Sequence, residues 1–176
     1  MSELQLESKA KRFYGKYRGT VVNNVDPLNL GRIQAIVPDV STMPTTWAMP
    51  CLPVGGAQMG IFTVPPIGAG VWIEFEQGDP DYPIWVGCFW GTAMEVPLLA
   101  RTAPPPLSSI TLQTLAKNGI IISDLPGPTG GIMLRSPTGS TLIVNDTGIY
   151  IQNGKGASIV MIGPAVNINN GALTVT

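Results

Sequence analysis

Four carboxylates crowd one short stretch: Glu74 and Glu76 on a strand-like run, then Asp79 and Asp81 on either side of Pro80 in the turn Gly78-Asp79-Pro80-Asp81. Paired carboxylates suggest a hydrolase, which needs two carboxyls facing each other across a cleft roughly 5–10 Å wide. Here the members of each pair stand two residues apart on one strand face or in one turn. That spacing fits solvated or turn-capping carboxylates better than a cleft. The chain contains no histidine, so neither a Ser-His nor a Cys-His nucleophile can be assembled within it. Cys51 and Cys88 fall in the aromatic-rich part, where a reduced thiol is expected to behave as a small buried hydrophobe rather than half of a disulfide. Catalytic, cofactor and metal residues are therefore all expected to be absent.

Nucleic-acid binding is the second chemistry to weigh, because small aromatic-rich β-barrels commonly stack bases. The charge map opposes it. No Lys or Arg occurs between Arg32 and Arg101, whereas Asp39, Glu74, Glu76, Asp79, Asp81 and Glu95 all lie there. Phosphates would meet a negative surface. A nucleic-acid- or ligand-binding module remains the alternative to a structural role.

The elements that must position these residues follow from composition. Charged residues make up 12% of the 176, well under the usual quarter, while Gly (21) and Pro (17) are abundant. Many short strands and turns are expected, and a net charge of -1 with so little charged surface favours association into an oligomer. The N-terminus MSELQLESKAKRFYGKYRG has no apolar signal-like region, and no apolar run reaches membrane-spanning length. Assembly in the cytoplasm is the expectation.

All aromatic residues but Tyr150 lie at or before Trp90, which divides the chain into two chemistries. In the first half, YRGTVVNNV and GRIQAIVPDV flank the turn Asp26-Pro27-Leu28-Asn29, and GVWIEFEQG and YPIWVGCFW flank the acidic turn. Val71, Ile73 and Phe75 alternate with Trp72, Glu74 and Glu76, which directs one set inward. Pro50, Pro53, Pro65 and Pro66 predict loop with short edge pieces between. About five strands closing a barrel over 19–97, preceded by an arm over 1–18, fit an OB-like all-β domain.

The segment 98–107, with Pro104-Pro105-Pro106, reads as a semi-rigid connector. From 108 to 176 the pattern is repetitive. Apolar-x-apolar triplets begin at Ile110, Ile120, Ile132, Leu142, Ile149, Val160, Val166 and Leu173, with glycine-containing turns between them. Strands this short present about two inward side chains each, and their spacing is too irregular for an ordinary single-chain solenoid. Three copies winding around one axis can close the core that one cannot. An intertwined trimeric β-helix is expected, with a single-chain solenoid or small sandwich as the other arrangement. Eight strands at about 4.8 Å would make a prism roughly 40 Å long.

These residues carry a family likeness. YRGTVVNNVDPLNLGRIQAIVPDV, TTWAMPCLPVGG and VPPIGAGVWIEFEQGDPDYPIWVGCFWG resemble the OB-fold domain of phage baseplate assembly protein V and of the VgrG-type spikes of contractile injection systems. The repeat ending VNINNGALTVT is similar to the trimeric β-helical shaft of those spikes. The resemblance implies a structural protein without enzymatic activity: a homotrimeric, cell-puncturing tail spike below a baseplate hub, in a virion or injection-system particle. Trp85, Phe89 and Trp90 would then fill the barrel or its protomer interface.

Further implications attach to particular residues. The basic cluster Lys9, Lys11, Arg12, Lys16 and Arg18, interleaved with Phe13, Tyr14 and Tyr17, is either a solvated arm or a hub-docking segment. The docking candidates are Lys11, Arg12, Phe13, Tyr14 and Tyr17. Many such spikes hold an apex iron through His-x-His, but here the matching residues are Asn167-Ile168-Asn169, and neutral amides are poor ligands for it. Asp124 and Asp146 are read as surface turn residues, with an ion bound on the trimer axis as the other reading. Without a metal-folded point, the shaft is expected to end on a separate PAAR-type tip protein, contacted by Ala172, Leu173, Thr174, Val175 and Thr176, with the target cell envelope met on contraction.

Overall fold

The computed structural model describes residues 11–175, leaving Lys9, Thr176 and the side chain of Thr174 outside the described set. Two compact units divide the chain, one ending at Glu95 and the other beginning at Val96.

In the first unit, β1 (Tyr17–Asn23), β2 (Gln34–Ile36), β3 (Met49–Pro50), β6 (Gly70–Phe75) and β7 (Pro83–Phe89) form one sheet in the order β2-β1-β6-β7-β3. The ends of that order meet. Ile33 and Ala48 exchange backbone hydrogen bonds of 3.2 and 2.7 Å, joining the approach to β2 with the approach to β3. The sheet therefore curls shut, leaving no long free edge. Between β3 and β6 the proline-rich segment forms only a small hairpin, β4 (Gly55–Gly56) and β5 (Met59–Gly60).

The barrel core is aliphatic and aromatic. Val21, Ile33, Val71 and Ile73 are essentially inaccessible, and Phe13, Phe75 and Trp85 pack around them. Strand β6 shows the predicted alternation, with Val71, Ile73 and Phe75 buried while Trp72 and Glu74 are half-exposed. Trp85 is both filler and strut, since its indole Nε1–H donates to the Gly31 carbonyl at 3.0 Å. The two thiols depart from expectation. Cys51 and Cys88 are free and exposed at the surface, although Cys88 stands opposite the buried Val71, past the bulge where β6 meets β7.

The second unit opens on a 3₁₀ turn (Leu98–Arg101), so the connector is not uniformly extended. Eight strands follow: β8 (Ser109–Gln113), β9 (Gly119–Ser123), β10 (Gly131–Arg135), β11 (Thr141–Asn145), β12 (Gly148–Gln152), β13 (Ser158–Ile162), β14 (Ala165–Ile168) and β15 (Leu173–Val175). Each apolar triplet of the sequence lies in one of these strands. They pair consecutively and antiparallel in a single sheet. Asn145, Asn153 and Asn169 hold the turns, their side-chain oxygens accepting from backbone amides nearby or on the neighbouring strand. Gly131 at φ +80 begins β10 where a side chain would collide with the Val144 carbonyl, so the close pairing to β11 requires glycine.

Candidate functional site

The acidic turn is a clasp. Gln77 and Gly78 adopt left-handed φ values of 50° and 77°, which turns the Gly78 carbonyl toward the N-terminal segment, where the Phe13 amide donates to it at 2.8 Å. A Cβ at Gly78 would stand 3.1 Å from the Phe13 nitrogen and 3.0 Å from the Tyr14 ring. Asp79 completes the clasp. One oxygen takes the Asp81 amide at 3.1 Å and the other pairs with Arg12 at 2.7 Å. Glu74 pairs with Lys16 across the sheet. Of the four carboxylates singled out from the sequence, Glu74 thus holds a cation and Asp79 a cation and the turn.

Of the five proposed docking residues, Phe13 and Tyr17 are turned inward. Phe13, Tyr17 and Phe75 form a triangle of rings with centroids 5.7–6.0 Å apart. Arg12 is engaged with Asp79, and the Lys11 ammonium sits 4.9 Å over the Phe13 ring. Tyr14, 72% exposed, is the large outward-facing ring of the group.

A second constellation fills the turn at Asp26-Pro27-Leu28-Asn29, which the sequence marks as a turn without marking the pairing of Asp26 with Arg32. Asp26 accepts from the amides of Leu28, Leu30 and Arg32 and from the Arg32 guanidinium at 2.6 and 3.0 Å. One carboxylate thereby organises the whole β1–β2 loop. The Arg32 hydrogen bonds, outweighing desolvation and reinforced by the three amides, hold the Asp26 carboxyl well below the usual carboxylate range, and Asp26 raises Arg32 in return. Arg32 also lies over the Trp47 ring. The Asp-Pro-x-x-x-Gly-Arg spacing is the signal that could have found it. On the outer wall, the Arg18 guanidinium stands 5.5 and 5.3 Å from the rings of Trp72 and Phe89, whereas Trp90 is 61% exposed.

In the second unit, the strand register builds a surface. Directly opposed residues share a sheet face, so one row runs Ile110, Ile122, Ile132, Val144, Ile149, Met161, Val166, Val175, and a parallel row runs Leu112, Ile120, Leu134, Leu142, Ile151, Ile159, Ile168, Leu173. Both rows are aliphatic from end to end. In the single chain much of this face is open: Ile110 and Leu112 are 60% and 63% exposed, and Leu173 and Val175 are 56% and 58%. A monomer would leave it in water, whereas covering each half-exposed side chain contributes roughly 1 kcal/mol. The opposite face is mixed, its middle row running Thr111, Ile121, Met133, Ile143, Tyr150, Val160 and Asn167.

The first strand is flanked by the connector. Leu99 is 5% and Ala103 2% exposed, and the Leu99 amide donates to the Gln113 side chain at 3.2 Å. At the other end, among the described residues β15 pairs with β14 alone, so Leu173 and Val175 of the tip candidates lie on an edge strand and on the aliphatic face. Ala172 is in the exposed turn before it, its amide bonded to the Asn169 carbonyl.

Comparison with known families agrees with this division. Residues 17–90 match the type VI secretion system/phage-baseplate injector OB domain, and residues 109–174 match the phage baseplate V C-terminal trimerisation domain. A search of curated proteins found none that matches the chain. Barrel and aliphatic meander, in that order, define a baseplate spike architecture. The chain belongs to the phage baseplate assembly protein V and VgrG-type spike family. The aliphatic face coincides with its trimerisation domain, which supports a homotrimer, and membership makes the chain a component of a phage or injection-system tail baseplate.

Proposed function

We propose that three copies form the central piercing spike of a contractile tail, with the barrels grouped beneath the baseplate hub and the strand-built shaft directed at the target envelope. The observation that carries this reading is the pair of unbroken aliphatic rows. Three such faces turned toward one axis make a dry, continuously hydrogen-bonded prism, and the function of a needle is to transmit force without yielding. Contraction of a sheath then does mechanical work through the spike. No bond is made or broken in the target by this chain, in keeping with carboxylates spent on Arg12, Lys16 and Arg32.

Two partners belong to the proposal. Tyr14 and Lys11 are the outward-facing part of a hub-docking segment whose remaining residues anchor it to the barrel. At the far end, the edge strand Leu173–Val175 and the residues around it seat a PAAR-type tip protein, which would cover unpaired strand groups and exposed aliphatic side chains. Cryo-electron microscopy of the assembled particle tests both. It should place three copies on the tail axis between hub and tip, and a position away from that axis would refute the spike.

A further inference from the structure

The first unit carries an apolar surface that neither its core nor the acidic clasp uses. Residues 40–73 contain no Asp, Glu, Lys or Arg. Within that stretch the β4–β5 hairpin projects Met59, 64% exposed, and continues into Ile61 and Phe62, 51% and 68% exposed. The hairpin is ordered rather than loose, with Gly55 opposite Gly60, Gly56 opposite Met59, and the Ile61 amide donating to Val54 at 3.2 Å. With Leu52 these residues line an open cleft of about 360 Å³. A side chain at Gly31 would meet the Phe62 ring, which places the patch beside Leu30 on the β1–β2 loop. The nearest charges named there, Asp26 and Arg32, neutralise each other.

From this we infer that the hairpin patch is a second self-contact, in which the barrel domains of the trimer meet one another through Met59, Ile61 and Phe62. The occupant is another copy of the same chain. Three barrels tethered to one trimerisation domain experience a millimolar effective concentration of one another, so even a weak apolar contact forms. Only residues at a threefold axis meet their own copies, and there any charge meets its own sign; a patch drawn from an uncharged stretch is suited to that axial position. A different protein would ordinarily be selected by charge complementarity, which this surface lacks. The inference rests on the trimer of residues 109–174 and is independent of piercing.

The test uses the full chain with Cys51→Ser, Cys88→Ser and Met59→Cys, treated while dilute with a short bis-maleimide, its mass followed in parallel by sedimentation. Covalent dimers should form within a trimeric sample, and adding Phe62→Lys should lower their yield at least about tenfold while the trimer mass persists, since like charges are driven together only at a real contact. A trimeric sample that gives no cross-link overturns the inference and leaves the patch to a baseplate protein or a lipid surface. Cross-linking indifferent to Phe62→Lys also overturns it, because tethering alone then explains the proximity. A monomeric sample removes the trimer on which it rests.

Discussion

The amide of Phe13 donates to the carbonyl of Gly78 at 2.8 Å, fastening the segment before β1 to a turn sixty-five residues later in the chain. The bond forms because Gly78 reaches φ +77, a conformation that a β-branched residue strongly resists. Its effect is to close one end of the barrel with the ring of Phe13, which is only 8% exposed.

Replacing Gly78 with Val should therefore destabilise the barrel by about 2 kcal/mol or more, through backbone strain and collision with the Phe13 nitrogen. Phe13→Ala should cost roughly 3 kcal/mol by leaving a cavity against Tyr17 and Phe75. Denaturant unfolding followed by tryptophan fluorescence measures both. Equal stability to the unaltered chain would mean that the clasp is ornamental.

Asp26 gives a pH signature. Its carboxyl is held below its unfolded-state value of about 3.9, so the stability it contributes is complete above that value and is lost as pH falls toward the folded-state value. Thermal melts should show the midpoint declining below about pH 4, and Asp26→Asn should lower it by several degrees at pH 7 while flattening the acid limb. A variant whose acid limb matches the unaltered chain would remove Asp26 as the organiser of the β1–β2 loop.

Truncation before Ala172 removes one edge strand and little else. The trimer should remain folded, while capture of a PAAR-type protein in a pull-down should be lost. Retained capture would move the tip contact to another surface.

The eight shaft strands were legible because an apolar-x-apolar triplet between glycine turns is a local signal, and Ile110 to Val175 each kept their place in it. The barrel strands were legible for the same reason, as with Val71, Ile73 and Phe75. What stayed hidden depends on contacts distant in sequence. Phe13 and Tyr17 looked like part of a basic arm, since nothing local reveals that Gly78 and Phe75 await them. Leu99 and Ala103 sat among prolines that signal a linker, yet they are buried against the start of the shaft sheet. Cys88 shares an apolar run with Trp85, yet past the bulge where β6 meets β7 it is exposed while its partner Val71 is buried.

The central claim is that the aliphatic rows exist to be covered by two further copies. A carboxylate set into them should undo this: Leu134→Glu would place a charge in the axial core, costing several kcal/mol per chain. Analytical ultracentrifugation of the intact chain and of this variant over a dilution series is the direct measurement. The intact chain should sediment at three times its 18.6 kDa mass throughout and resist denaturant, and Leu134→Glu should yield monomer or aggregate. A folded, soluble monomer from the intact chain would contradict the account.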